Sequence, residues 1–389
     1  MRSLLVTRDW PPHPGGISRM YMELCRRFPT GAVEVSAPAL PEGAEEAAVP
    51  GVVVHRMPFG FKRARTAFSV AYWTAWTAAR VRRAEIDVLQ VGNIRPTGYI
   101  GRVLRHRVPF VIYVHGLDLW RVEREAAAST ARRRTTAGIM GGAAAIIANS
   151  GPIAALTHDV LRQLGVEPGD RVRVVHPGAD PARFRPDSPG GGEWRRELGV
   201  EGRMVVLTVA RVMPRKGVDT VIAALPKIAA SFPEVVYVVA GGGPDRERLA
   251  RLAAAAGVLD RVRFVGIVPE SRLAGLYAAA DVFVLPAREE RAEDEIEGFG
   301  IVYCEAAAAG LPVVAGKSGG VRDAVRDGET ALLVAPEVGP VNEALSRLLA
   351  DAALRQRLGE AGRRAVETYY NWERAAREAW SVLEEVAVR

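Results

Sequence analysis

Short runs of consecutive apolar residues alternate along this chain with longer segments of helical period. Leu4-Leu5-Val6-Thr7 reads as a buried strand, followed by a Pro/Gly loop from Pro11 to Gly16 and a helix around Ile17 to Phe28. Val88 to Val91, Phe110 to Val114 and Ala145 to Ala148 repeat the strand signal. The alternation restarts at Met204 to Ala210 and a helix from Val218 to Ser231. It continues through Val235 to Ala240, Val262 to Val265, Val282 to Leu285 and Val313-Val314, each followed by a helical pattern. Strands separated by helices in this way predict an α/β protein with doubly wound parallel sheets. Asp187-Ser188-Pro189-Gly190-Gly191-Gly192 is a linker by composition. The expected organisation is therefore two Rossmann-like domains, residues 1–186 and 193–371, facing each other across a cleft, with a last helix from about Trp372 to Val388 in segment 372–389.

Composition narrows the picture. A length of 389 residues and an apolar fraction of 49% suit two or three domains with real cores. No apolar run reaches the roughly 18 residues of a membrane span, and the N-terminus meets Arg2 and Arg8 too soon for a secretory signal. Two cysteines, Cys25 and Cys304, make no disulfide framework, so a reducing, cytoplasmic setting is expected. The net charge of +7 is uneven. Residues 1–190 hold 26 Lys and Arg against 16 Asp and Glu, whereas the remainder holds 26 against 29. The first half is thus expected to meet an anionic partner, nucleic acid or a membrane surface.

Candidate chemistry lies at strand ends. Glu297 and Glu305 stand eight positions apart, split by Phe299-Gly300 and the apolar run Ile301-Val302-Tyr303. Glu297 falls in the loop before a helix and Glu305 about two turns inside it, so the helix N-terminus between them suits a phosphate. A ligand with hydroxyls at both ends and a diphosphate in the middle fits this spacing. Arg211 and Lys216 close the first strand of the second half and are placed to hold a pyrophosphate, while Arg215 reads as a solubilising loop charge. Gly241-Gly242-Gly243 is a turn or a ligand contact. Gly15 and Gly16 mark a phosphate-approach point where the first strand turns into its helix, without the third spaced glycine of a dinucleotide fingerprint. His115 ends a strand, and Asp118 reads equally as acceptor-facing or as a helix cap. Phe59 to Glu85 mixes Trp73 and Trp76 with Lys62, Arg63 and Arg65, and Arg132-Arg133-Arg134 adds a second basic cluster; both suit an anionic lipid surface. No nucleophile triad, metal-spaced cluster or nucleic-acid reader module stands out. The acidic stretch Glu289 to Glu297 offers at most weak attraction for Mg²⁺.

On the run Glu297-Gly298-Phe299-Gly300-Ile301-Val302-Tyr303-Cys304-Glu305 and the loop Pro11-Pro12-His13-Pro14-Gly15-Gly16, the chain resembles the family-4 retaining glycosyltransferases of GT-B fold over nearly its whole length. Within that family it is most similar to GDP-mannose-dependent phosphatidylinositol mannosyltransferases. The resemblance implies donor-sugar contacts from Glu297 and His115, ribose contacts from Glu305, and pyrophosphate stabilisation by Arg211 and Lys216. It further implies that Gly266, Ile267 and Val268 border the base, that Gly15 and Gly16 approach the donor, and that Phe299 to Val302 complete the donor loop. It implies that the last helix crosses back to the first domain, that no metal cofactor is needed, and that transfer proceeds by front-face substitution without a protein nucleophile.

The expected activity is transfer of a hexose, mannose from GDP-mannose, to a phosphatidylinositol-type glycolipid by a protein peripheral on the inner face of the cell membrane. Alternatives are a UDP- or ADP-sugar with a soluble or polysaccharide-precursor acceptor, a GT-B sugar-nucleotide epimerase, and a non-catalytic nucleotide-binding protein.

Overall fold

A computed structural model describes residues 1–13, 15–43, 45–46, 48–61, 66–290 and 296–388. Lys62, Arg63 and Arg65, and the acidic residues 293–295, lie outside the described residues. The chain divides into two compact units, Met1–Pro177 with Trp372–Arg389, and Gly178–Asn371.

The first unit runs β1 (Ser3–Val6), α1 (Gly16–Cys25), β2 (Val33–Pro38), β3 (Val53–Met57), α2 (Thr66–Ala84), β4 (Val88–Val91), α3 (Gly98–Leu104), β5 (Phe110–Val114), α4 (Leu117–Ala128), α5 (Thr130–Met140), β6 (Ala145–Ala148), α6 (Gly151–Gln163) and β7 (Val172–Val174). Its seven strands lie in the order β3-β2-β1-β4-β5-β6-β7, every pair parallel. β1, β4, β5 and β6 are buried along their whole length, because helices cover both faces of a parallel sheet. The outer strands β3 and β7, and β2 beside β3, escape the apolar-run signal: Glu34, His55, Arg56 and Arg173 interrupt them. Glu34 is nonetheless buried, because Arg80 of α2 grips its two oxygens at 2.6 and 2.7 Å and His55 stands 2.9 Å away.

The second unit contains α7 (Gly191–Leu198), β8 (Met204–Val209), α8 (Val218–Ser231), β9 (Val235–Ala240), α9 (Arg246–Ala255), β10 (Val262–Gly266), α10 (Glu270–Ala278), β11 (Val282–Leu285), α11 (Ile301–Ala308), β12 (Val313–Gly316), α12 (Val321–Ala324), β13 (Ala331–Val334), α13 (Val338–Ala350) and α14 (Ala352–Thr368). Its six parallel strands lie in the order β10-β9-β8-β11-β12-β13. Residues 178–186, which the glycine-rich linker assigns to the first half, belong here: Ala179 and Phe184 are buried with Tyr277 in this unit's core, and the ring of Phe184 meets Tyr277 edge-on at 5.4 Å. The linker glycines themselves open α7 rather than separating two bodies.

α15 (Trp372–Val388) packs on the first unit. Its buried positions Trp372, Ala375, Ala376, Ala379, Val382, Leu383 and Val386 repeat at helical spacing. The ring of Trp380 packs tilted against Phe28 at 5.0 Å, and Arg27 donates to Glu373 at 2.7 Å. No helix among the described residues is long and apolar enough to cross a membrane.

Candidate functional site

In both sheets the strand order reverses once, between β1 and β4 and between β8 and β11. The crevice outside the carboxyl ends of the strands at such a switch point is where open α/β sheets bind ligands. Asp9 and Asn93 of the first unit and Arg215, Lys216 and Glu297 of the second lie at such ends.

In the second unit, the chain leaves β8 through Arg211, turns at Pro214–Lys216 and enters α8 at Gly217. Gly217 has φ +70° and lies so close to the end of β11 that a Cβ would meet the Pro286 carbonyl oxygen at 2.2 Å. Only glycine permits that approach. The Gly241-Gly242-Gly243 triplet, left open between turn and ligand contact, is a packing device: a Cβ on Gly241 would sit 1.8 Å from Ala210 O. Val212 N donates to Gly242 O at 2.9 Å and Gly241 N to Gly266 O at 2.7 Å, so three strand-end loops hold one another. Gly266, the 77% exposed Ile267 and Val268 form the outermost of them.

Glu297 is drawn into this arrangement. Its Oε2 accepts from Lys216 Nζ and, at 3.2 Å, from Arg215 Nη1, with all three side chains only 10–12% exposed. Burial pushes the Glu297 carboxyl up, and the charges of Lys216 and Arg215 more than reverse this, holding it below the ordinary carboxylate range. Arg215 is therefore no loop charge; it is the second cation on Glu297. Arg211 remains exposed. A further clamp steadies the pair: Arg288 N donates to Arg215 O at 2.9 Å, and its guanidinium grips both oxygens of Asp219 at 3.0 and 3.1 Å. Burial raises the Asp219 pKa, and Arg288 with Arg248 brings it below the usual value.

Behind Glu297, Gly300 takes the left-handed conformation and caps α11. The helix starts only at Ile301, so Glu305 lies just over one turn inside rather than two. The first-turn amides of α11, Ile301 and Val302 included, lack intrahelical acceptors and sit at the positive end of the dipole. Phe299, expected in the donor loop, is 2% exposed, and its side chain packs in the core with its ring tilted against that of Tyr370 at 6.2 Å. Glu305 is 1% exposed and accepts from the Tyr277 hydroxyl at 2.8 Å. Among the described residues no group of three or more His, Cys, Asp or Glu is arranged to hold a metal.

In the first unit, Gly15 and Gly16 are exposed at the start of α1. His115 is 7% exposed and turned inward: its Nε2 lies 2.7 Å from Tyr21 Oη, which donates to Gly92 O at 2.6 Å. Both ring nitrogens are buried, so the ring faces the interior of this unit. Asp118 accepts from His115 N at 3.2 Å and occupies the first turn of α4. Two residues escaped the sequence reading. Asp9, just past β1, accepts from Asn93 just past β4 at 3.0 Å. Their position at the switch point is the signal that locates them.

The basic-aromatic helix also needs correction. Trp73, expected at a membrane, is fully buried, its Nε1 donating to Phe59 O at 2.8 Å and its ring packed on Phe61 at 4.6 Å. Trp76 is half-buried against His55. The face of α2 that remains exposed carries Ala67, Phe68, Ala71, Tyr72 and Ala75. It borders a groove shared with α3 where Val103 is 63% exposed and Arg107 stands at the rim.

Two parallel doubly wound sheets, one presenting a helix N-terminus beside a carboxylate held by two cations, define an α/β protein with a charged crevice at a strand switch point. Comparison with known proteins agrees and goes further. Residues 192–365 match the family described as "Glycosyl transferases group 1" and residues 14–183 "Glycosyltransferase Family 4". The chain is 33% identical over 388 residues to a GDP-mannose-dependent alpha-(1-6)-phosphatidylinositol monomannoside mannosyltransferase of Mycolicibacterium smegmatis, covering 95% of this chain and 94% of the relative. It is 32% identical to a D-inositol 3-phosphate glycosyltransferase of Streptomyces bingchenggensis, covering 93% and 83%. A solved sucrose-phosphate synthase from Thermosynechococcus elongatus superposes with a TM-score of 0.82 at 23% identity over all of both chains, a likeness of fold. The chain belongs to glycosyltransferase family 4, with the GT-B fold.

Proposed function

We propose that this protein transfers mannose from GDP-mannose, with retention of configuration, to an inositol hydroxyl of a phosphatidylinositol-type glycolipid. The observation that carries the reading is Glu297 held between Lys216 and Arg215 beside the N-terminus of α11. In the proposal Glu297 receives donor-sugar hydroxyls, and Arg211, Lys216 and the first amides of α11 take the diphosphate. Gly266, Ile267 and Val268 border the base, Glu305 takes the ribose, and Gly15 and Gly16 approach the donor. Negative charge grows on the departing diphosphate as the glycosidic bond breaks, and cations fixed in advance stabilise it without reorganisation. The donor phosphate accepts the acceptor proton on the same face, so the protein supplies position and charge rather than a nucleophile.

Inositol is the moiety common to both relatives' names, which supports an inositol acceptor. For its lipid form we propose contact through the exposed α2 face, Phe68 and Tyr72 with Arg107 nearby, rather than through Trp73. A soluble inositol phosphate is the second reading, favoured by the name of the Streptomyces relative.

A thermal-shift panel of GDP, UDP and ADP with their sugars tests the donor. Ligand at 100 times its dissociation constant stabilises by about 2.7 kcal/mol. A rise confined to GDP and GDP-mannose is expected; a rise with UDP or ADP sugars alone overturns the donor. Product formation with phosphatidylinositol vesicles or with free inositol phosphate separates the acceptors, and the anomeric proton coupling of the product tests retention.

A further inference from the structure

Behind His115, the ends of β5, β6 and β7 with α1 and α15 line a small pocket with room for about 10 Å³. That is about the smallest space that admits one water molecule. Most of its wall is apolar, with Met20, Leu24, Ile147 and Ala375 among the lining residues. Two lining residues carry a buried polar atom with no partner among the described residues: His115 Nδ1 and Asn149 Oδ1.

The proton order around the ring follows from what each atom can do. Tyr21 Oη has one hydrogen and lies 2.6 Å from Gly92 O, which can only accept. The hydroxyl therefore donates to that carbonyl. Its contact with His115 Nε2 at 2.7 Å must then run the other way, with Nε2–H donating and Oη accepting. Burial pushes the imidazole pKa down, against the opposing pull of Asp118 and Asp9, so the ring is neutral. A neutral ring protonated at Nε2 leaves Nδ1 as a bare acceptor. Asn149 Oδ1 is an acceptor too. A water-sized cavity lined by two unpartnered acceptors suits a small neutral molecule with two hydrogens to give.

We propose that this cavity binds one ordered water, which donates one hydrogen to His115 Nδ1 and the other to Asn149 Oδ1. The result is a chain of hydrogen bonds from the water through His115 and Tyr21 to the Gly92 carbonyl, each pointing the same way. It ties the end of β6 to the end of β4, one residue before Asn93 and its bond to Asp9. Asn149 is thus a positioning residue acting through the water. It keeps the ring of His115 turned inward, so this strand end presents its backbone, with the amide on Asp118, to the site.

Two measurements on the unaltered full chain decide the matter, and neither depends on activity or on the identity of the donor. A crystal structure ordered enough to show waters is expected to place density within hydrogen-bond distance of both atoms, about 2.7–3.1 Å. Long-range ¹⁵N–¹H NMR of histidine-labelled protein is expected to find His115 neutral and protonated at Nε2. A dry cavity, or a ring protonated at Nδ1, overturns the proposal. In Asn149→Leu, which fills the cavity, the water is lost and the Nδ1 resonance moves downfield toward that of an unbonded nitrogen while Nε2 keeps its proton. An unchanged Nδ1 resonance in a folded Asn149→Leu protein also overturns it.

Discussion

Replacing Lys216 by methionine removes one of the two cations on Glu297 and little volume. The remaining carboxylate is 12% exposed and keeps Arg215 at 3.2 Å. Removing one partner of a buried ion pair destabilises by roughly 3–5 kcal/mol, because the other charge stays desolvated. Arg215 places Lys216→Met at the low end, about 3 kcal/mol. For a unit of this size that lowers the unfolding midpoint by roughly 6–12 °C. Glu297→Gln alone is expected to be similarly harmful, since it sets two buried cations against a neutral amide. The double variant removes one charge of each sign and leaves Arg215 a neutral acceptor. Its loss should therefore fall short of the sum of the singles by about 1–3 kcal/mol. Denaturant unfolding of the four proteins gives the cycle directly. Strict additivity, or a Lys216→Met loss below about 1 kcal/mol, refutes the view that the site is a pre-paired charge cluster. Turnover reports the other half of the argument. Losing one fixed donor to developing oxyanion charge costs about 10²–10³ in kcat, so Lys216→Met that folds and binds donor nucleotide should be slowed by that factor.

The depressed pKa of Glu297 means that the unfolded chain binds the proton more tightly. Its stabilisation is therefore full above the ordinary carboxylate pKa and is lost as pH falls through the folded value, an effect absent from the Glu297→Gln acid-unfolding curve. Gly217→Ala forces a side chain into the left-handed region and against the Pro286 carbonyl, and should cost roughly 2–4 kcal/mol by denaturant unfolding. Phe68→Ser with Tyr72→Ser should weaken binding to anionic vesicles while changing stability by about 0.5 kcal/mol or less each. Trp73→Ala, by contrast, should lose about 3–5 kcal/mol of stability.

The central strands were legible in the chain because a strand buried on both faces is written as an unbroken apolar run, as in Phe110 to Val114 and Val235 to Ala240. Strand β2 was not, since one buried Glu34 satisfied by Arg80 across the fold looks in sequence like a loop residue. The Glu297–Glu305 run and the Arg211–Lys216 loop stood out in the chain through glycines and cations at short spacing, whereas the pairing of Arg215 with Glu297 did not.

Sequence by itself determined the α/β alternation, the two switch-point loops and the residue types they carry, all of which are local consequences of period and turn chemistry. Which charges pair was decided only by tertiary structure. Arg215 and Arg211 are alike in sequence, yet one is folded onto Glu297 and the other faces water. Trp73 and Phe68 lie five residues apart on one amphipathic helix, and only packing against Phe61 determines which is core and which is surface. The inward turn of His115 depends on Tyr21 and Gly92, residues 94 and 23 positions away that meet only when β4 and β5 lie side by side. Burial and pairing are sums over neighbours distant in sequence, and a linear pattern records the neighbours without recording who meets whom.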